Sequence, residues 1–153
     1  MRVVDFLQPE CVVANLEATT KPAVLAELSQ RLARTAPGVD AEILRHVLEE
    51  RELLASTAIG DGIAIPHGKL DSVGHLVGAL GRSIEGIEFE SIDGKPTHLV
   101  FMLVAPASST GVHLKALARL SRLFRDPDFR QRLLSAPSGE AMYQVIAEED
   151  AKY

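Results

Sequence analysis

The sequence has almost no cysteine: Cys11 is the only one in 153 residues. An internal disulfide is therefore impossible, a cysteine-based metal site is excluded, and a reducing compartment is favoured. No apolar run reaches the roughly 20 residues of a membrane-spanning helix. The opening Met-Arg-Val-Val-Asp-Phe-Leu-Gln-Pro-Glu also lacks the apolar core and small-residue cleavage site of a secretory leader. The expected location is the cytoplasm, with no membrane partner. Lys and Arg form no cluster and the net charge is -5, so nothing marks a nucleic-acid surface. The three-spaced Arg119, Arg122 and Arg125 read as a solvated helix face first, and as a patch for an acidic partner protein second. Repeats, linkers and low-complexity tracts are absent too. With 46% hydrophobic and 24% charged residues, the composition is that of an ordinary globular chain, and the length fits one domain over 1–153.

Along the chain, the apolar, partly β-branched stretch Cys11 to Leu16 predicts a strand. Thr20 can cap the helix that follows, with Lys21-Pro22 in its first turn and Val24, Leu25, Leu28 and Leu32 at helical spacing to about Thr35. Asp40 can cap a second helix whose stripe is Ile43, Leu44, Val47 and Leu48; the next position on that stripe is Arg51. Taken alone, Arg51 reads as a snorkelling cation that complements the negative helix end. His75 to Arg82 predicts a strand, and Asp93-Gly94 a turn. The run Thr97 to Val104 is too continuously apolar for a strand with one wet face, so it should be central. Ser108-Ser109-Thr110 offers hydroxyl caps for a helix from about Gly111 to Phe124. Its stripe of Leu117, Leu120 and Phe124, extended back four residues, lands on His113. A histidine in the first turn of a helix is either a hydrogen-bonded core residue or a ligand for an anion held by free N–H groups. Asp126-Pro127 begins a short helix, and Ser138 caps a last one to about Ala147, followed by an acidic tail. The order of strands and helices fits an α/β fold with a mixed sheet of about five strands covered by helices on both faces.

The chain is organised around Ser56 to Leu70. A turn at Gly60-Asp61-Gly62 feeds the apolar Ile63 to Ile65, which Pro66 stops because it has no N–H for a sheet ladder. His67 is thereby left at a strand end. Pro66 restricts the backbone before it, and Gly68, free to take positive φ, keeps the other side open for a bulky anion. A rigidly presented imidazole can be a general base, a metal ligand or a nucleophile.

Other chemistries fail on spacing. Gly60-x-Gly62 has Ile65 where a dinucleotide fingerprint wants a third glycine, and no Lys-Ser/Thr follows a glycine loop. A zinc reading of His67 with His75 lacks a third ligand. His46, His75 and His98 carry no such signal. What remains is two histidines and an arginine, with helix N–H groups and no nucleotide or metal site.

Ser56-Thr57, Ile59-Gly60, the run from Gly62 through Ile65-Pro66-His67-Gly68-Lys69 to Leu70, and His113-Leu114 resemble a known family over essentially the whole chain. It is that of the enzyme IIA domains of the fructose/mannitol class in the bacterial phosphoenolpyruvate-dependent phosphotransferase system, in particular its nitrogen-regulatory branch. The resemblance implies that His67 is the phosphorylated histidine, His113 the second active-site histidine, and Arg51 the matching arginine, with Pro66 and Gly68 positioning the phosphoryl group. It implies a phosphotransferase without cofactor or metal, loaded by a histidine phosphocarrier protein. Its output would be either phosphorylation-dependent binding of regulatory targets in nitrogen, potassium or related metabolism, or transfer to an enzyme IIB in sugar uptake. The lack of IIB or IIC segments after the domain leans towards the regulatory output. Asp61 departs from the family, which often has asparagine there; the departure touches turn geometry and not the chemistry.

Overall fold

The structure, a computed structural model, describes residues 1–153. Strands β1 (Leu7–Val13), β2 (Ala58–Gly60), β3 (Ile63–Ala64), β4 (His67–Leu70), β5 (Val77–Ile87) and β6 (Thr97–Pro106) form one sheet in the order β1-β5-β6-β3-β2, with β4 also paired to β6. The sheet is mixed: β1 runs parallel to β5, and β3 and β4 parallel to β6, while β5–β6 and β2–β3 are antiparallel. Central β6 is buried at every residue except His98, as its unbroken apolar run requires.

Five helices complete the fold: α1 (Lys21–Thr35), α2 (Ala41–Leu54), α3 (Thr110–Phe124), α4 (Pro127–Ser135) and α5 (Gly139–Asp150). Alternation along β6 shows that both faces are covered. Met102 points to α1, where Ser29 Oγ lies 3.9 Å from its Sδ. Its neighbour Phe101 points the other way, its ring 6.5 Å from that of Phe124 in α3. The expected caps form at Thr20, Asp40 and Ser138, and Asp126 caps α4 as well, each side chain accepting from an N–H of the first turn. Ser109 occupies the N-cap of α3 but its hydroxyl caps nothing.

Several expectations are corrected. The sheet has six strands where about five were expected, because the Ile65-Pro66 step splits one line of extended chain into β3 and β4, both beside β6. Strand β1 starts earlier, at Leu7, and accommodates Pro9 because it is an edge strand whose register shifts between Leu7 and Val12. Strand β5 runs on to Ile87, past an irregularity after Arg82. Ile43 is off the buried stripe of α2, 57% exposed, and only Leu44 and Leu48 are fully buried there. Helix α5 does not give way to a solvated acidic tail: Glu149 and Asp150 are its last residues and are buried. Asp150 accepts from Val4 N–H and from Arg119 at 2.7 Å. Arg119 is therefore an internal tie, while Arg122, over the Tyr153 ring at 4.2 Å, and Arg125 stay exposed as the solvated face that was expected.

Candidate phosphoryl-transfer site

The candidate corner is built by three chain segments that meet at one end of the sheet. The turn leading to it takes positive φ at Gly60, Asp61 and Gly62 in succession. Aspartate tolerates this region better than most side chains, and the Asp93 carboxylate accepts Asp61 N–H at 3.2 Å. The chain then enters β3. At Ile65 it leaves the ladder: Ile65 N–H donates to Thr57 O at 3.0 Å and Pro66 O accepts from Leu103 N–H at 2.9 Å. The Ile65 carbonyl turns instead to the ring of His67, lying 2.8 Å from Nδ1. His67 opens β4, in register with Leu103 on the central strand.

That carbonyl decides the tautomer. A carbonyl oxygen can only accept, so Nδ1 must carry the proton in the neutral ring and Nε2 keeps its lone pair. Burial is the main influence that holds the His67 pKa below its ordinary value; the Arg51 charge adds to it, while the Ile65 carbonyl and Glu52 oppose. Neutral imidazole is thus favoured near pH 7.

His113 stands in the first turn of α3, 7% exposed, with its Nε2 buried and without a hydrogen-bond partner. Its ring lies 5.4 Å from that of His67, edge to face at 71°. Burial lowers its pKa as well, helped by His67 and Lys69. Arg51, in the last turn of α2, makes one hydrogen bond, from Nη1 to Ala55 O at 2.9 Å. An open cleft of about 550 Å³ is lined by Arg51, His67 and His113 together with Glu50, Leu54 and Lys69. The three side chains singled out in the sequence are brought to one place.

Two site expectations fare differently. Pro66 does interrupt the ladder as expected. Gly68 does not take positive φ. A Cβ there would lie 2.9 Å from Val47 Cγ1 and 3.4 Å from Leu48 Cδ2, so glycine is needed for close packing of α2 on β4. Lys69 went unrecognised in the sequence. It donates to Thr110 Oγ1 at 2.9 Å and ties β4 to the start of α3; its place two residues after His67 on the same strand was the available signal. The remaining histidines stand apart: His46 pairs with Glu50 at 3.0 Å on the surface of α2, His98 bonds Ser83 O, and His75 lies in a separate hollow. No group of three or more His, Cys, Asp or Glu is arranged to hold a metal.

Residues 5–149 match the family described as "Phosphoenolpyruvate-dependent sugar phosphotransferase system, EIIA 2". The chain belongs to this enzyme IIA family. Among its relatives is a nitrogen regulatory protein of Bradyrhizobium diazoefficiens, 40% identical over 147 residues, which cover 96% of this chain and 95% of that one. A fructose-specific EIIABC component of Bacillus subtilis is 37% identical over 98% of this chain, which spans 24% of that protein. The fold matches nitrogen regulatory protein IIA-Ntr from Neisseria meningitidis with a TM-score of 0.88 at 31% identity, covering 94% of this chain and 98% of that one. No helix in the molecule is long and apolar enough to cross a membrane.

Proposed function

We propose that this enzyme IIA protein is a phosphocarrier of the regulatory kind. It takes a phosphoryl group from a histidine phosphocarrier protein onto Nε2 of His67 and signals by whether that group is present. The observation that carries the reading is the fixed ring: Nδ1–H is committed to the Ile65 carbonyl at 2.8 Å, so the free lone pair belongs to Nε2. In transfer, the Nε2 lone pair forms the new N–P bond as the donor's N–P bond breaks, and that electron pair returns to the donor imidazole. The His67 ring gains positive charge, which Nδ1–H shares with the Ile65 carbonyl. Arg51, which has donors to spare, and the unpartnered Nε2 of His113 are placed to bind the phosphoryl oxygens. Positioning and charge stabilisation suffice for such a transfer.

The output follows from charge. A phosphoryl group adds about -1.5 to -2 charges to a cleft beside exposed apolar residues, Leu54 at 82% and Leu114 at 61% exposure. A partner that fits the neutral face meets desolvation and like-charge costs on the phosphorylated one. The domain over 1–153 acts as one unit in this scheme. The nitrogen-regulatory relatives support this reading. A second reading, onward transfer to an enzyme IIB in sugar uptake, is favoured by the fructose-specific relative.

Incubation with phosphoenolpyruvate and the upstream carriers, followed by mapping of the label, tests the acceptor. One acid-labile, base-stable phosphoryl group on His67 is expected; label retained by His67→Ala would sink the assignment. Pull-downs with His67→Ala and with phosphorylated wild type separate the outputs. Different partner sets support regulation, and identical sets with ready transfer to an enzyme IIB support transport.

A further inference from the structure

On the side of α2 away from the cleft, a second cluster of charge has no part in the scheme above. Glu52, next to Arg51, has a side chain only 6% exposed. Its carboxylate accepts from Thr57 N–H at 3.0 Å and from Thr57 Oγ1 at 2.6 Å. It also meets Lys21 Nζ at 2.8 Å, itself 11% exposed. Lys21 in turn lies 4.9 Å from the Phe89 ring centroid and 3.4 Å from Glu90. A carboxylate this buried is retained at a desolvation cost unless its partners satisfy it, and here both oxygens are engaged. Thr57 passes the constraint on, because its carbonyl accepts Ile65 N–H at 3.0 Å. The Ile65 carbonyl, at the other end of the same residue, holds His67 Nδ1.

We infer that Glu52, held by Lys21 and acting through Thr57 and the Ile65 backbone, is a positioning residue that fixes the tautomer and orientation of the His67 imidazole. The inference rests on the reading of His67 as phosphoryl acceptor. Its physical content is that a ring turned by a few tenths of an ångström presents Nε2 out of line, and misplacement by 1 Å can cost about 10² in rate. The negative charge also bears on a ring that becomes positive during attack. Glu52 and Arg51 of α2 act on His67 in opposite senses, while Glu50, Lys69 of β4 and His113 of α3 complete the charged or titratable groups around the cleft. One helix end thus supplies adjacent side chains with separate duties: Arg51 faces the phosphoryl group, and Glu52 the backbone that carries the nucleophile.

The test uses the whole protein with Glu52→Gln, Thr57→Val and Thr57→Ser. The first readout is ¹⁵N NMR of the His67 ring in the unphosphorylated protein, which reports tautomer and titration midpoint without any transfer. The second is the rate of label arrival from the phosphorylated donor carrier. Glu52→Gln should move the midpoint to lower pH and slow transfer about tenfold, within the range for displaced groups. Thr57→Val should mix the tautomers and slow transfer, and Thr57→Ser should restore both. Should Glu52→Gln fail to fold, Lys21→Met replaces it: transfer should again slow, while the midpoint moves to higher pH because the Glu52 carboxylate loses its counter-charge. Wild-type tautomer and midpoint in both Glu52→Gln and Thr57→Val would overturn the inference, whatever the melting temperature does. A change confined to Glu52→Gln would also overturn it, since the path through Thr57 would then be idle. Absence of label in the wild type would refute the acceptor reading instead, and the NMR arm would still decide the brace.

Discussion

Where the sheet meets α4 and α5, Arg82 and Arg119 are each held by several hydrogen bonds; at the cleft Arg51 makes one. Arg82, only 4% exposed, bonds the carbonyls of Ala14, Leu133 and Ala136, closing the C-terminal end of α4. Arg119 is similarly spent on Asp150 through Nε and Nη2. Arg51 makes one bond and His113 Nε2 none. Buried polar groups are satisfied as a rule, so a shortfall asks for an explanation. The shortfall at His113 Nε2 faces His67; the other two buried atoms without a partner, Thr97 Oγ1 and Glu149 Oε2, lie elsewhere in the fold. What separates Arg82 and Arg119 from Arg51 is the number of carbonyl and carboxylate partners that hold each one.

The largest effect that could break this contrast is on His67 itself. His67→Ala should remove phosphorylation entirely, measured by label transfer, with the fold intact by circular dichroism. Next come the unspent donors: His113→Ala and Arg51→Leu should each slow transfer by about 10²–10³ with melting temperatures near wild type. If Arg51 merely snorkels, leucine completes the apolar stripe and transfer stays intact. An unchanged rate in His113→Ala would return that residue to the core.

The spent cations should behave in the opposite way. Arg119→Ala strands the fully buried Asp150 and should cost about 3 kcal/mol in urea unfolding while leaving transfer untouched. Loss of transfer at unchanged stability would erase the distinction.

The pH dependence sharpens it further. Burial depresses both cleft histidines, so below the unfolded value of about 6.5 the unfolded chain binds more protons than the folded one. Stability then rises with pH through that window: their contribution is complete above about 6.5 and is lost as pH falls through the depressed folded values. Transfer should fall over the same acid range with a midpoint below about 6.5, because a protonated Nε2 has no lone pair. A midpoint above 6.5 would contradict this, and the double variant His67→Ala/His113→Ala should flatten that part of the stability profile.

The smallest expected effect is Gly68→Ala, whose Cβ would press Val47 Cγ1 at 2.9 Å. Forcing this contact should cost about 1–2 kcal/mol and slow transfer only through the shift of α2. A larger loss of transfer than of stability would bring back a direct role at the phosphoryl group.

The residues of the site were legible because they interrupt patterns. Arg51 and His113 each stand where a helical stripe calls for an apolar side chain, and Pro66 marks the break before His67. The central position of β6 was legible from its unbroken apolar run. Other features depend on contacts between segments far apart in the chain. Gly68 reads as a residue of free φ until α2 is seen against it. Glu149 and Asp150 read as a solvated tail, since nothing local announces Arg132 as a partner of Glu149, or Arg119 and Val4 N–H as those of Asp150. The role of Glu52 was hidden for the same reason: its partners, Lys21 and Thr57, come from other elements.

The placement of His67 at the head of β4, paired with the innermost strand of the sheet, has a further consequence. The conformational freedom of the imidazole is given up once, when the chain folds, and not again at each encounter. A visiting protein therefore meets the same ring in the same pose whether it arrives to deliver a phosphoryl group or to collect one. In the proposed role, donor and recipient share one mount, and the fraction of molecules carrying phosphate becomes a running ratio of supply to demand among its partners.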